Sequence, residues 1–186
     1  MQPLRAAVGS VNMSKKILIY RAKPNPAGKD AVQHHTSPQQ LLGEWVDLQN
    51  TSDTALNLGG FHLANREFDS RCIAKPAPVV YWFGDSRITL QRGEIVRIHT
   101  GKEVDSYSML QADRQGVHYH SFANRGWFVL NNRCGDTISV WSKDSAGNYQ
   151  SPAEDEASYD PNPPDGEILV RKGNKLVTAL VAVLGY

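Results

Sequence analysis

The sequence predicts an all-β domain, and three features of its patterning do so. Short apolar bursts rich in β-branched and aromatic residues recur along the chain. Clusters of Gly, Asn, Asp and Pro separate them, and no amphipathic stretch of ten or more residues at the helical period lies between them. Many short strands at this spacing build a sandwich or barrel, whereas an α/β fold needs crossover helices.

The elements follow in order. Residues 17–20 form a first strand, closed by Lys23-Pro24-Asn25-Pro26-Ala27-Gly28, and residues 29–42 are polar, with 34–38 read as loop. In 44–50, Val46 and Leu48 alternate with Asp47 and Gln49, the pattern of a half-buried strand. Thr51-Ser52-Asp53 turns the chain into Leu56, Leu58, Phe61 and Leu63. Their alternation breaks at Gly59-Gly60, which predicts a β-bulge. Further strands are expected at 79–83, 88–90, 95–100, 127–130 and 137–141, with turns at 84–85, 91–93, 134–136 and 145–148. Residues 102–123 are longer and mixed, suited to a loop with a short strand or helical turn. Residues 151–166 combine Pro152, Pro161, Pro163 and Pro164 with like charge and read as an exposed acidic loop. A terminal hairpin, 167–171 and 175–184 around Lys172-Gly173-Asn174, has an apolar second strand on both faces, so that strand is central or covered by a partner.

Composition narrows the function. At 186 residues the chain makes one ordinary domain, and 20 Lys+Arg against 19 Asp+Glu excludes a bulk nucleic-acid binder. Residues 1–14 are expected to be a flexible leader, with Met13-Ser14-Lys15-Lys16 resembling a polar chain start, so that Met1 and Met13 are both candidate starts. Leu4, Ala6, Ala7 and Val8 are too short an apolar run for a signal peptide, and 176–184 is too short to span a bilayer, which makes cytoplasm the default location. Cys72 and Cys134 pair only if the fold brings them together, and a reducing compartment disfavours it.

No residue set reads as catalytic. Gly-x-Ser-x-Gly elbows, phosphate-binding Gly-rich loops and His-Glu-x-x-His helices are missing, and Cys134 would need a base or cation to become reactive. His118-Tyr119-His120 puts two imidazoles on one strand face, yet neither it nor His34-His35 has an acidic or Cys ligand nearby, so no metal is expected. Asp155, Asp160 and Asp165 lack calcium-loop spacing and read as solvated. No cofactor or small-molecule substrate is implied. Basic residues concentrate before residue 30, which makes Lys15, Lys16 and Lys23 the candidate phosphate contacts, while 144–167 carries seven acidic and no basic residues. Large rings on both faces of 81–83 and 127–128 leave at least one ring of each set outside the core or under cover from 102–123 or 168–184. Trp82 and Trp127 are therefore candidate protein-binding residues, together with Val181 and Val183 of the hairpin.

Three blocks in order resemble the lamin tail domain, an immunoglobulin-like module. The first is Glu44-Trp45-Val46-Asp47-Leu48-Gln49-Asn50 with Leu56-Asn57-Leu58-Gly59-Gly60-Phe61-His62-Leu63. The second is Leu90-Gln91-Arg92-Gly93-Glu94-Ile95-Val96-Arg97-Ile98-His99-Thr100-Gly101. The third is Leu130-Asn131-Asn132-Arg133-Cys134-Gly135-Asp136-Thr137-Ile138. The similarity spans about residues 15–150; the acidic loop and hairpin follow it. The resemblance implies an immunoglobulin-like β-sandwich with a C-terminal β-hairpin extension. In function it implies a non-catalytic protein-interaction or adaptor module that associates with a partner or with itself. The alternatives are a nucleic-acid-associated accessory domain using the basic N-terminal segment, or an accessory subunit of a separately encoded nuclease or hydrolase. In the residues themselves the blocks have folding roles: Asn50 and Asn131 bond turn backbone, and Val46, Leu48, Val96, Ile98, Ile138 and Val140 fill inner faces.

Overall fold

Period-two alternation of apolar and polar side chains builds fourteen strands in the computed structural model, which describes residues 15–28, 31–32, 35–144 and 146–184. The expected leader, both candidate starts, His34 and Ser145 lie outside the described residues. The first strands are β1 (Ile17–Lys23), β2 (Ala31–Val32), β3 (His35–Thr36), β4 (Trp45–Asn50), β5 (Leu56–Asn57), β6 (Phe61–Phe68) and β7 (Ala74–Phe83). After them come β8 (Thr89–Leu90), β9 (Ile95–His99), β10 (Tyr119–Phe122), β11 (Asp136–Ser142), β12 (Asp155–Tyr159), β13 (Leu169–Lys172) and β14 (Lys175–Thr178). The helices are short: α1 (Pro38–Gly43), α2 (Gln111–Arg114) and α3 (Ala179–Leu184). None of the described helices is long and apolar enough to cross a membrane.

The all-β expectation holds, and ten strands hydrogen-bond as one sheet in the order β10-β9-β4-β1-β13-β14-β12-β11-β6-β7, curled nearly into a barrel. Two separate packed sheets were expected. The physical reason for the difference is the C-terminal hairpin. β13 pairs antiparallel with β1, and β14 bridges to β12, so the hairpin joins the halves β10-β9-β4-β1 and β12-β11-β6-β7 along one side. The hairpin is thus part of the sheet, and its second strand is central, as its two apolar faces imply. That strand ends at Thr178, the partner of Leu169 where β13 begins. Beyond it no strand remains to pair with, and Ala179–Leu184 satisfies its own backbone as α3, which corrects the strand expected through residue 184.

Ile17, Ile19, Val46, Leu48, Leu63, Val96, Ile98, Ile138, Val140, Ala157, Leu169 and Leu176 form the buried interior. The outer face of β4 is buried as well, correcting the half-buried expectation. Asp47 Oδ1 and Oδ2 accept from Arg97 Nε and Nη2 at 2.8 and 2.9 Å, and Arg21 Nε adds a third bond at 3.0 Å. The Arg97 guanidinium lies 3.5 Å from the Trp45 ring centroid and donates onward to the carbonyls of Asp113 and Gln115. Asp113 in turn accepts from Lys23 Nζ (2.6 Å) and Trp45 Nε1 (2.8 Å). Charge pairing therefore fastens the mixed segment after β9, a 3-10 turn followed by α2 and β10, over that face.

Other local expectations change for identifiable reasons. Gly59-Gly60 belongs to a 3-10 turn, Leu58–Gly60, capped by Asn57 Oδ1 accepting from Gly59 N, and not to a bulge. Gly84 is required because a Cβ there would lie 1.8 Å from the Leu58 carbonyl oxygen. The proposed acidic loop contains β12, whose Asp155, Ala157 and Tyr159 point inward. Asp155 tolerates burial because Arg171 Nη1 and Nη2 donate to it at 2.9 and 3.0 Å and Ile19 N at 2.8 Å. Cys72 and Cys134 form a disulfide, with Cα atoms 5.3 Å apart. This bridge resolves the open pairing question.

Candidate functional site

The barrel is open along one seam, between edge strands β7 and β10, and side chains close it where no ladder does. Trp82 Nε1 donates to Ser121 Oγ at 2.9 Å. Arg125 Nε and Nη2 both donate to the Tyr81 carbonyl, at 3.1 and 3.0 Å. Beside this closure a groove of about 690 Å³ runs between β6–β7 and residues 125–133.

Residues 127–130 were expected to be a strand, but they pair with no strand. The backbone of residues 129–131 hangs instead from two buried carboxylates. Glu44 Oε1 accepts from Val129 N (2.9 Å) and Leu130 N (3.4 Å), and Asp136 Oδ2 accepts from Asn131 N (3.0 Å). Asp136 Oδ1 also takes Arg66 N at 2.8 Å, tying β6 to the same anchor. At the far end the Cys72–Cys134 bridge and an Arg133 Nη2 bond to the Ser70 carbonyl (2.7 Å) join the β6–β7 turn to the 131–135 turn. In that turn Asn131 Oδ1 accepts from Cys134 N, the role its sequence implied, and Gly135 stands at φ 72° where a Cβ would meet the Tyr159 carbonyl at 2.5 Å.

Burial dominates the electrostatics beneath the groove. Glu44 is fully buried, and desolvation pushes its pKa up to about 8 against the bonds from Thr100, Val129 and Leu130 that lower it. Asp136 is raised to about 6 by the same cause. The groove wall carries the opposite sign. Arg66, Arg125 and Arg133 line it, and among the described residues none of them meets a carboxylate. Each guanidinium is held by a main-chain carbonyl: Arg66 Nη1 by Pro76 (3.0 Å), Arg125 by Tyr81 and Arg133 by Ser70. An arginine anchored this way keeps its full charge and its remaining N–H donors. Lys75, on the same wall, is spent on Glu67 at 2.6 Å. Trp127 lies on the groove with 61% of its surface exposed, the Arg125 guanidinium 5.9 Å from its ring centroid.

The edge of β7 is closed to strand addition over much of its length. Pro76 and Pro78 have no N–H, and the carbonyls of Pro76 and Tyr81 are occupied by arginines.

The residues singled out from sequence separate. Trp127 belongs to the groove. Trp82 is 1% exposed and belongs to the core, covered by Ser121 of the 102–123 segment, which corrects its candidacy as a binding residue. Val181 and Val183 sit on α3, Val183 largely exposed, away from the groove's lining. Lys23 is buried on Asp113, so its charge is consumed inside the fold; Lys15 pairs with Asp155, which it shares with Arg171, but stays exposed, and Lys16 is exposed. The His pair is also engaged: His118 Nδ1 accepts from Ile95 N (3.1 Å), and His120 Nδ1 lies 2.9 Å from His99 Nε2. Among the described residues no group of three or more His, Cys, Asp and Glu is placed to hold a metal.

Sequence reasoning missed Arg66, Arg125, Arg133, Glu44 and Asp136. The readable signal was Arg125 and Arg133 bracketing Trp127-Phe128, which an even charge count through the middle of the chain concealed. Comparison of the chain with protein-family models and with curated proteins returns no match.

Proposed function

We propose that the chain is a non-catalytic interaction module of the lamin-tail type that takes an acidic segment of a partner protein into the seam groove. One observation carries the reading: three guanidiniums, anchored on carbonyls and paired with no carboxylate among the described residues, surround a groove that exposes Trp127, while its one lining carboxylate, Glu67, pairs with Lys75. Guanidinium forks bind carboxylates two bonds at a time, and Arg and Trp dominate the energetics of protein interfaces. With the β7 edge obstructed, the ligand is read through its acidic side chains more than through its backbone. Glu44 and Asp136 are buried beneath the groove and away from solvent, which supports a binding role for the groove over a catalytic one.

The immunoglobulin-like reading belongs to the same proposal. The two four-stranded halves joined by the hairpin support it, as do the three motif blocks, which fall on β4 to β6, on β8 to β9 and on the turn into β11. The N-terminal nucleic-acid route loses one of its three candidate contacts, because Lys23 is buried on Asp113. The accessory-subunit version remains compatible, the partner then being the enzyme. On location, the disulfide supports a compartment that permits such bridges over the cytoplasmic default.

The test is binding of a labelled hexaglutamate peptide to the wild type and to Arg125→Ala, Arg133→Glu and Trp127→Ala. Losses of about tenfold or more in each variant, with unchanged circular dichroism, support the reading. Equal affinity in all four proteins refutes it.

A further inference from the structure

The donors beneath the groove are shared unevenly. Glu44 Oε1 accepts from Thr100 Oγ1 at 2.6 Å, Val129 N at 2.9 Å and Leu130 N at 3.4 Å. Glu44 Oε2, buried alongside it, meets no donor. A buried ionised carboxylate pays heavily for an oxygen that no donor reaches. Three on one and none on the other is the arrangement of a carboxylic acid, with Oε1 as carbonyl and Oε2 as hydroxyl.

The groups facing Glu44 from other elements agree. Asp136 of β11 acts on it as a like charge. Tyr81 of β7 and Tyr159 of β12 both feel its charge, and both phenol oxygens are buried without a partner. Neither bonds Oε2 directly, and a water between them is the route by which a phenol oxygen accepts from an Oε2 hydroxyl. Thr100 contributes only a hydroxyl, and none of the ion pairs among the described residues involves Glu44.

We propose that Glu44 is a proton-binding site coupled to the groove, holding its proton while an anionic ligand is bound and weakening that ligand when the proton leaves. The inference rests on the groove reading given above. The coupling path is short. Val129 and Leu130 line the groove, and their N–H groups end on Glu44. An ionised Glu44 would set a buried negative charge directly behind a surface that attracts anions, whereas the neutral acid leaves the arginine field intact. Burial raises the group far enough, to about 8, for the step to fall in an accessible range. Asp136, raised only to about 6, is ionised before that step begins. By linkage, the ligand must raise the affinity of Glu44 for its proton by the same factor that the proton raises the affinity for ligand.

The probe is N-acetylated hexaglutamate, which has no α-amino group to titrate and whose charge is constant above about pH 6.5. Wild-type Kd is expected to weaken on the order of tenfold between about pH 6.5 and pH 9, the size expected for like charges roughly 10 Å apart at an effective dielectric near 20. Glu44→Gln, which keeps the shape and the carbonyl acceptor, is expected to hold its low-pH affinity throughout. A wild-type Kd that is flat with pH, or a Glu44→Gln variant with the wild-type slope, overturns the coupling and leaves the groove reading standing. Failure of the wild type to bind at any pH overturns the groove reading, and the coupling with it. A second measurement needs no variant: the Glu44 carboxyl carbon, followed by NMR in the wild type, should titrate near pH 8 when free and at higher pH when saturated with peptide. Identical midpoints in the two states overturn the proposal.

Discussion

The Cys72–Cys134 bridge closes a loop between positions 62 residues apart, and its removal has a calculable consequence. In the chain-entropy treatment a loop of that length lowers the entropy of the unfolded ensemble enough to stabilise the native state by about 4 kcal/mol. Cys72 also stands at φ 61°, a left-handed conformation that an L-residue adopts at a cost of roughly 1–2 kcal/mol. Two double variants separate these effects. Cys72→Ser/Cys134→Ser removes the constraint and retains the strained backbone, whereas Cys72→Gly/Cys134→Ser removes both. Urea unfolding should show a loss of about 4 kcal/mol for the first and about 1 kcal/mol less for the second. Because the bridge also fixes one end of the groove, hexaglutamate binding should weaken in both. Unchanged unfolding midpoints would refute the reasoning, as would two reactive thiols in the native, unreduced protein.

Two further consequences concern buried charge. Asp47→Ala leaves Arg97, 1% exposed, without its carboxylate, and should lower stability by about 3–5 kcal/mol, or Tm by about 10 °C in a chain of this size; a shift under about 2 °C by calorimetry would show that water reaches the site. Glu44 and Asp136 have folded-state pKa values near 8 and 6, raised from 4.5 and 3.8, so the folded state binds more protons than the unfolded state between those values. Their contribution is fully present below about pH 4 and is lost as pH rises through 6 and then 8, by up to roughly 5 kcal/mol for Glu44. Chemical denaturation across that range should show the decline in the wild type and a much shallower one in Glu44→Gln, and parallel profiles would contradict the assignment.

Much of the fold was legible in the residues. Turn clusters and period-two alternation located β1, β4, β9 and β11, because each has an apolar inner face that no other register would bury. The segments that misled did so where a distant side chain replaced a neighbouring strand. Residues 127–130 have strand composition, yet the N–H groups of Val129 and Leu130 are taken by Glu44, more than eighty positions earlier. The acidic segment became β12 because Arg171 of β13 and Lys15, just ahead of β1, converge on Asp155. Lys23 illustrates the same limit at the candidate site: its charge is readable, but not that Asp113 would bury it. Arg66, Arg125 and Arg133 lie apart in the chain and become one surface only when the barrel curls and the bridge closes.

The central claim is that the seam groove is where this chain meets an acidic partner. The most direct measurement is an NMR titration of isotopically labelled protein with hexaglutamate, following arginine Nε–H and tryptophan Nε1–H signals. Saturable shifts at Arg66, Arg125, Arg133 and Trp127, with Arg97 and Trp45 unmoved in their buried network, are the predicted result. Shifts confined to Arg92, Arg71 or other exposed arginines outside the groove, or no saturable shift at all, would contradict it.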